Sequence, residues 1–168
     1  MILPKGRFMP FAQPAPTGQV ASVSDRQLRA IVDTIPGLVW LARVDGGAEY
    51  VNRRWLEYTG LSQADAGGWG WTAAIHPDDL DRLTNYWRSV LQSGVRGETQ
   101  ARLRRFDGEY RWFMFTAEPV RDELGAVTGW CGTNLDIDDR RRAEDAVRAS
   151  QHELSLIIDN IPGFVWCA

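Results

Sequence analysis

The chain has 168 residues, of which 44% are hydrophobic and eight are tryptophan, enough to bury one ordinary domain core. A net charge of −3 with the two signs interspersed leaves no basic field to attract nucleic acid or an anionic membrane. Cys131 and Cys167 lie far apart without metal-ligand spacing, which excludes a disulfide framework and fits a reducing compartment, and no apolar run reaches signal-peptide or membrane-spanning length; the sequence predicts a cytoplasmic protein with no membrane segment.

Residues 1–23 hold four prolines and predict a flexible tail. From Ser24, which can cap a helix, Leu28, Ile31, Val32 and Ile35 recur at helical spacing until Pro36-Gly37 ends the pattern. Leu38 to Val44 reads as an apolar strand, Asp45-Gly46-Gly47 as a turn and Glu49 to Val51 as a return strand; Asn52 can then cap a helix over Arg53 to Tyr58. Thr59 to Ile75, with four glycines and two tryptophans, predicts short helical turns. Pro77-Asp78-Asp79 opens a long helix to Gly94, because proline has no N–H to leave unpaired there and the acids favour the positive end of the helix. Three strands follow over Glu98 to Arg105, Tyr110 to Val120 and Ala126 to Ile137, with turns at Asp107-Gly108 and Asp122 to Gly125. This order predicts an α+β fold with an antiparallel sheet.

Asp138 can cap one further helix. In it Ala143, Val147, Ser150, Leu154, Ile157 and Ile161 alternate spacings of four and three, a coiled-coil-like seam. That helix runs into a repeat: Ser24 to Ala42 returns 126 residues later as Ser150 to Ala168, with ten of nineteen positions identical. The expected organisation is a tail at 1–23, a domain at 24–138, a linker helix at 139–160 and the start of a second copy at 161–168, within a longer protein.

Six short motifs in order carry a family resemblance. They are Ile35-Pro36-Gly37-Leu38-Val39-Trp40; Tyr50-Val51-Asn52 with Tyr58-Thr59-Gly60; Trp71 with Ile75-His76-Pro77-Asp78-Asp79; Asp107-Gly108 with Arg111-Trp112; Glu118-Pro119-Val120-Arg121-Asp122 with Gly125; and Gly132-Thr133 with Leu135-Asp136-Ile137. Together they resemble a PAS domain of the group common in bacterial sensor kinases. The resemblance implies a five-stranded antiparallel sheet with flanking short helices around a small cavity, a helix leading out to an effector, and a second PAS domain beginning at the C-terminus. Asp138 stands where the family often has Thr; either can cap a helix.

Catalytic residues are not apparent. His76 beside Asp78 and Asp79 reads as a helix cap rather than a metal ligand, since three adjacent residues cannot surround an ion. Gln151-His152-Glu153-Leu154 looks like the phosphoacceptor box of histidine kinases, but it continues as Ser-Leu-Ile-Ile and the first copy has Arg26 at the equivalent place, so His152 is not taken as a phosphoacceptor. Histidine-ligated haem is disfavoured because Asp78 to Ser93 holds no His; photoactive covalent flavin is disfavoured because Leu61 to Ile75 holds no Cys, while tight non-covalent flavin stays open. Neither cysteine has a base nearby in sequence, and Cys131 reads as a small apolar strand residue. No metal site is expected, and no cofactor is named.

Strand parity gives a candidate cavity face. A three-residue loop over Asp107-Gly108-Glu109 sets Leu103 opposite Phe113 and Ala101 opposite Phe115, with Arg102, Arg104, Trp112 and Met114 on the other side; a two-residue loop would shift the pairing by one. The first choice groups the apolar residues and matches the family arrangement, which adds Trp130, Gly132 and Asn134. These residues either hold a small apolar or aromatic ligand or fill a core. Trp112 and Met114 are too apolar for a solvated face and call for a cover, by the first helix through Leu28 and Ile31 or by a second subunit. Parallel linker helices meeting along Ala143, Val147, Leu154 and Ile157 would make a homodimer and carry a signal to downstream domains. The expected role is signal input to a histidine kinase; the alternative is a ligand-free relay module of a cyclic-dinucleotide synthase or phosphodiesterase.

Overall fold

The computed structural model describes residues 25–159. The expected tail and the start of a second copy lie outside them.

The elements follow in the order read from the sequence: α1 (Asp25–Thr34), β1 (Leu38–Ala42), β2 (Ala48–Val51), α2 (Arg53–Thr59), α3 (Gln63–Ala66), a 3₁₀ turn over Gly70–Ala74, α4 (Pro77–Ser93), β3 (Gly97–Arg104), β4 (Tyr110–Arg121), β5 (Val127–Asp136) and α5 (Asp138–Asp159). The strands form one antiparallel sheet in the order β2-β1-β5-β4-β3. One face carries α2, α3, the 3₁₀ turn and α4, so Trp55, Leu83 and Phe113 share one core cluster.

Asn52 explains the start of this arrangement. It is fully buried; its Oδ1 accepts from the backbone N–H groups of Val39 and Trp55, both at 3.1 Å, and its Nδ2 donates to the Gly37 carbonyl at 2.8 Å. One side chain thereby caps α2 and ties it to β1 and to the break after α1. His76 caps α4 in the same manner, its Nδ1 accepting from Asp78 N–H at 3.2 Å.

The β3–β4 pairing corrects the expected register. Ala101 pairs with Phe113, not Phe115, and Leu103 pairs with Arg111, not Phe113. The Arg105 N–H bonds the Glu109 carbonyl, so the loop is Phe106-Asp107-Gly108, one residue earlier than expected, and Gly108 takes the left-handed conformation it requires. Moving the loop by one residue shifts the pairing by two, which preserves which side chains share a face.

Backbone groups on both outer edges of the sheet find partners outside the strands. On β3, Glu98 N–H donates to the Tyr86 hydroxyl at 2.8 Å, Arg82 donates to the Gln100 carbonyl at 2.7 Å, Arg102 N–H donates to Asp79 Oδ2 at 2.9 Å, and the Arg102 carbonyl accepts from His76 N–H at 3.0 Å. On β2, Ala48 exchanges both backbone bonds with Gly68. Edge groups satisfied this way offer no template to another strand.

Asp79 is the buried member of the β3 cap. Two-point pairing with the Arg102 guanidinium, at 2.8 and 3.1 Å, holds its carboxyl below the usual carboxylate range, outweighing the burial that opposes it. A depressed folded-state pKa stabilises the protein above the unfolded value near 4, and that contribution fades as pH falls through the folded value. Asp79→Ala should therefore cost about 2 kcal/mol at pH 7, and urea denaturation should show the gap from wild type narrowing toward pH 3; a gap independent of pH would contradict the pairing.

Candidate functional site

Between the sheet and the helices lies a cavity of about 70 Å³. Its wall includes four indoles, Trp40 from β1, Trp55 from α2, Trp71 from the 3₁₀ turn and Trp87 from α4, beside aliphatic residues and the polar Tyr86, Thr99, Thr116 and Asn134. Strand alternation aims Leu38, Trp40 and Ala42 of β1 inward, across from Asn134, Gly132 and Trp130 of β5. On α4 the spacing Leu83, Trp87, Val90 places three buried side chains on the helix face that meets the sheet.

The rings hold one another at fixed angles. Trp40 meets Trp87 edge-on at 5.6 Å between centroids, and Trp87 meets Trp130 edge-on at 5.3 Å. Their polar atoms are occupied: Trp40 Nε1–H donates to Asn134 Oδ1 at 3.0 Å, and Trp87 Nε1–H donates to the Gly46 carbonyl at 3.0 Å. Gly132 is required beneath Trp40, because a Cβ there would run into the Trp40 ring and the Thr116 carbonyl oxygen.

Of the seven expected cavity residues, Leu103, Phe115 and Asn134 line the cavity. Ala101 and Phe113 pack in the core cluster toward α2, Trp130 packs behind Trp87, and Gly132 supports Trp40. Sequence reasoning missed Trp40, Trp55, Trp71 and Trp87. Trp87 carried a signal in its four-and-three spacing with Leu83 and Val90, and Trp40 in its alternation with Leu38 and Ala42; Trp55 and Trp71 sit on elements too short to show a period.

The cavity wall offers neither a His to ligate haem nor a Cys to bond flavin covalently. α4 offers no His along its length, the segment Leu61 to Ile75 no Cys, and Cys131 sits on the opposite face of the sheet, paired with Leu41 and Glu118. Burial raises the Cys131 thiol pKa, with the nearby Glu118 charge adding to it, so little thiolate forms there. Among the described residues no cluster of three His, Cys, Asp or Glu could hold a metal ion.

Tyr58 borders the core from α2, its ring 5.0 Å from Phe113. Its hydroxyl is buried without a hydrogen-bond partner, and burial, with Asp136 nearby, pushes its pKa up to about 12.

The opposite face corrects two expectations. Trp112 is covered by arginines rather than by α1: the Arg141 guanidinium lies 4.1 Å and that of Arg102 5.3 Å from its ring centroid. Leu28 and Ile31 of α1 are exposed, and the bonds of that helix run to Tyr50, Asn52 and Arg53 through Asp33 and Val32. Asp138 does not cap α5; it is the first helical residue, and Asp136 Oδ1 accepts its N–H at 2.9 Å. The Asp138 carboxylate instead accepts from Trp112 N–H at 3.2 Å and pairs with Arg142 at 2.6 Å. Met114 is half-buried opposite an exposed Leu135.

Arg111 completes the junction. It bonds Asp136 at 2.8 Å on β5 and Asp139 at 2.7 Å on α5. Burial works against its charge, but the two carboxylates outweigh that and hold the guanidinium above its usual range. Beyond Arg141, every side chain described on α5 is exposed, including Ala143, Val147, His152 and Leu154; the side chain of Ile157 lies outside the described residues.

Two substitutions test this geometry. Gly132→Ala should destabilise by about 3 kcal/mol, the upper end of overpacking, while Tyr58→Phe, which removes a buried hydroxyl that bonds nothing, should be neutral or stabilising by up to about 1 kcal/mol. Thermal denaturation reads both; a tolerated alanine at 132 would contradict the close approach of Trp40.

Comparison with known proteins bears on what such a module does. A family model described as the PAS fold matches residues 48–134. The uncharacterized protein y4lL of Sinorhizobium fredii is 34% identical over 138 residues, which are 82% of this chain and 17% of that protein. The peroxide stress-activated histidine kinase mak1 of Schizosaccharomyces pombe is 35% identical over 148 residues, 84% of this chain and 9% of that protein. The chain thus spans less than a fifth of the length of either relative. Among solved structures, the N-terminal domain of a diguanylate cyclase with PAS/PAC sensor from Marinobacter aquaeolei superposes with a TM-score of 0.56 at 24% identity, covering 62% of this chain and 98% of that one, a likeness of fold alone.

Proposed function

The chain belongs to the PAS fold family and is a signal-transduction PAS module, and from that premise we propose that it is the input module of a multidomain histidine kinase, relaying its state to downstream domains through paired α5 helices. The observation that carries the reading is α5 itself. Its first turn is fixed to the sheet by Arg111, Asp138 and Arg141, whereas the rest exposes an apolar seam with nothing against it in one chain.

A helix of 22 residues spans about 33 Å. Val147 and Leu154 are each more than half exposed, and a second copy of the same helix, packed in parallel, would bury both at coiled-coil spacing. Polar neighbours flank the seam with ion pairs within the helix, Arg140 to Glu144 and Arg148 to Asp145. The partnered edge groups of the sheet favour pairing through helices rather than through added strands. In such a pair, a shift of β4 against β5 acts on α5 through Arg111, which bonds β5 and α5 from a β4 position, and a tilt at the base propagates along a stiff helix. Kinase output is supported by the identity to mak1, and a cytoplasmic setting by a sequence with only two cysteines and no disulfide-framework spacing. The second reading, a cyclic-dinucleotide enzyme served by the same relay, remains the alternative that the experiment separates.

The full-length protein incubated with labelled ATP should form an acid-labile phosphohistidine; formation or hydrolysis of a cyclic dinucleotide instead would overturn the kinase reading. In the present chain, replacing Leu154 and Ile157 by Glu should shift sedimentation from dimer to monomer, and an unchanged profile would sink the paired-helix relay.

A further inference from the structure

We propose that His76 is a proton-binding site coupled to the base of α5, so that acidification is a signal this module registers. The coupling concerns what moves α5, whatever output domain follows, and it goes beyond the kinase reading without resting on it.

Ring chemistry is the first ground. Nδ1 of His76 faces the Asp78 N–H at 3.2 Å and Nε2 faces Arg102 Nη1 at 3.4 Å, so donors stand against both nitrogens. A neutral imidazole has one acceptor nitrogen and spends it here; an imidazolium has none. The second proton would also place a positive charge at the N-terminus of α4, the positive end of that helix. Histidine is the side chain that ordinarily changes charge between about pH 5 and 8, and the chain has only two, His76 and His152.

The groups around the ring decide what a second proton displaces. Asp78, Asp79 and Arg82 approach from α4 and Arg102 from β3, and the Tyr110 ring of β4 lies 4.5 Å away between centroids. Asp78 Oδ2 stands 3.7 Å from His76 Nδ1 and 3.5 Å from Arg102 Nη2. A charged ring draws that carboxylate to itself and repels the guanidinium, so Arg102 loses both neighbours on that side. Asp79 is the fixed point. Its two bonds to Arg102 hold its carboxyl below the usual carboxylate range, and it stays ionised while histidine titrates. Arg102 therefore pivots about Asp79 rather than leaving it.

Where Arg102 leads is the third ground. Its guanidinium lies 5.3 Å from the Trp112 ring centroid, and the Arg141 guanidinium of α5 lies 4.1 Å from the same ring. Arg141 also donates to Gln100 Oε1 at 2.7 Å, on the same side of β3 as Arg102. Two cations thus share one indole, and displacing the first alters the seat of the second. Such coupling is reciprocal: loosening Arg102 from Trp112 must in turn ease proton uptake at His76.

An NMR titration of the chain from about pH 8 to about pH 5 reads both directions. The His76 Cε1–H, Trp112 indole N–H and Arg141 Nε–H signals should move with one midpoint. His76→Asn keeps a capping side chain without a titrating ring and should flatten the Trp112 and Arg141 signals, while His152→Asn should leave them as in wild type. Trp112→Leu, which alters no charge, should raise the His76 midpoint by about 0.3 pH unit, roughly a twofold gain in proton affinity; Gln100→Ala, which frees Arg141, serves if that variant does not fold. Flat Trp112 and Arg141 signals in the wild type, their titration surviving in His76→Asn, or an unmoved His76 midpoint in the folded Trp112 or Gln100 variant would each overturn the proposal. Phosphoryl transfer and self-association enter none of these readouts, so failure here is separable from failure of the kinase relay.

Discussion

The contact of Trp40 with Gly132 organises the rest of the structure. An indole can lie flat across a neighbouring strand only where that strand has no side chain, and Gly132 supplies the gap at the centre of the sheet. Once there, Trp40 finds Asn134 two residues along β5 and gives it its N–H. The ring then presents its edge to Trp87, which fixes how closely α4 approaches the sheet. The cavity is the space left when five strands of alternating side chains meet rings too large and too rigid to interlock fully. It is thus a consequence of tryptophan packing, and its small volume follows from the same cause.

The sheet's periphery obeys a different rule. Polar groups on α4 and its preceding turn, Tyr86, Arg82, Asp79 and His76, satisfy successive backbone atoms of β3. Exposed apolar residues lie instead on the outer sheet face, where Leu135 stands beside Met114, and on the helices α1 and α5, at Leu28, Ile31, Val147 and Leu154. Arg111 links these two regions. It stands on β4 beside Trp112, its carboxylate partners lie at the end of β5 and the start of α5, and Arg141 returns from α5 to lie against Trp112. Charge-assisted hydrogen bonds rather than loose packing therefore join the central strands to α5.

Much of this was legible in the sequence where local chemistry dominates. Asn52 and His76 are caps because their side chains accept from N–H groups two or three residues on, and Pro77 opens α4 because the helix start tolerates a missing donor. The faces of β3 and β4 were legible because alternation survives a two-residue error in register. The register itself was not: Phe106, which the sequence leaves outside the predicted loop over Asp107-Gly108-Glu109, lies in the loop, where its N–H bonds the Tyr58 carbonyl. The role of Asp138 was hidden for a similar reason. A helix-start aspartate next to Asp136 and Asp139 looks like a cap, and only the approach of Trp112 N–H across the sheet shows which carboxylate does what. The indole cage was the largest omission, since its members come from four elements separated in sequence and two of those elements are too short for periodicity.

A double-mutant cycle between Trp40 and Asn134 tests the account most directly. Trp40→Phe, Asn134→Leu and the double variant, compared by urea denaturation at pH 7, isolate the energy of the bond that seats the indole over Gly132. The account predicts a favourable coupling of about 1 kcal/mol or more, with each single variant leaving a buried group unpaired. Additive effects, with no coupling beyond error, would mean that Trp40 is placed by general hydrophobic packing and that the ordered cage does not depend on this lock.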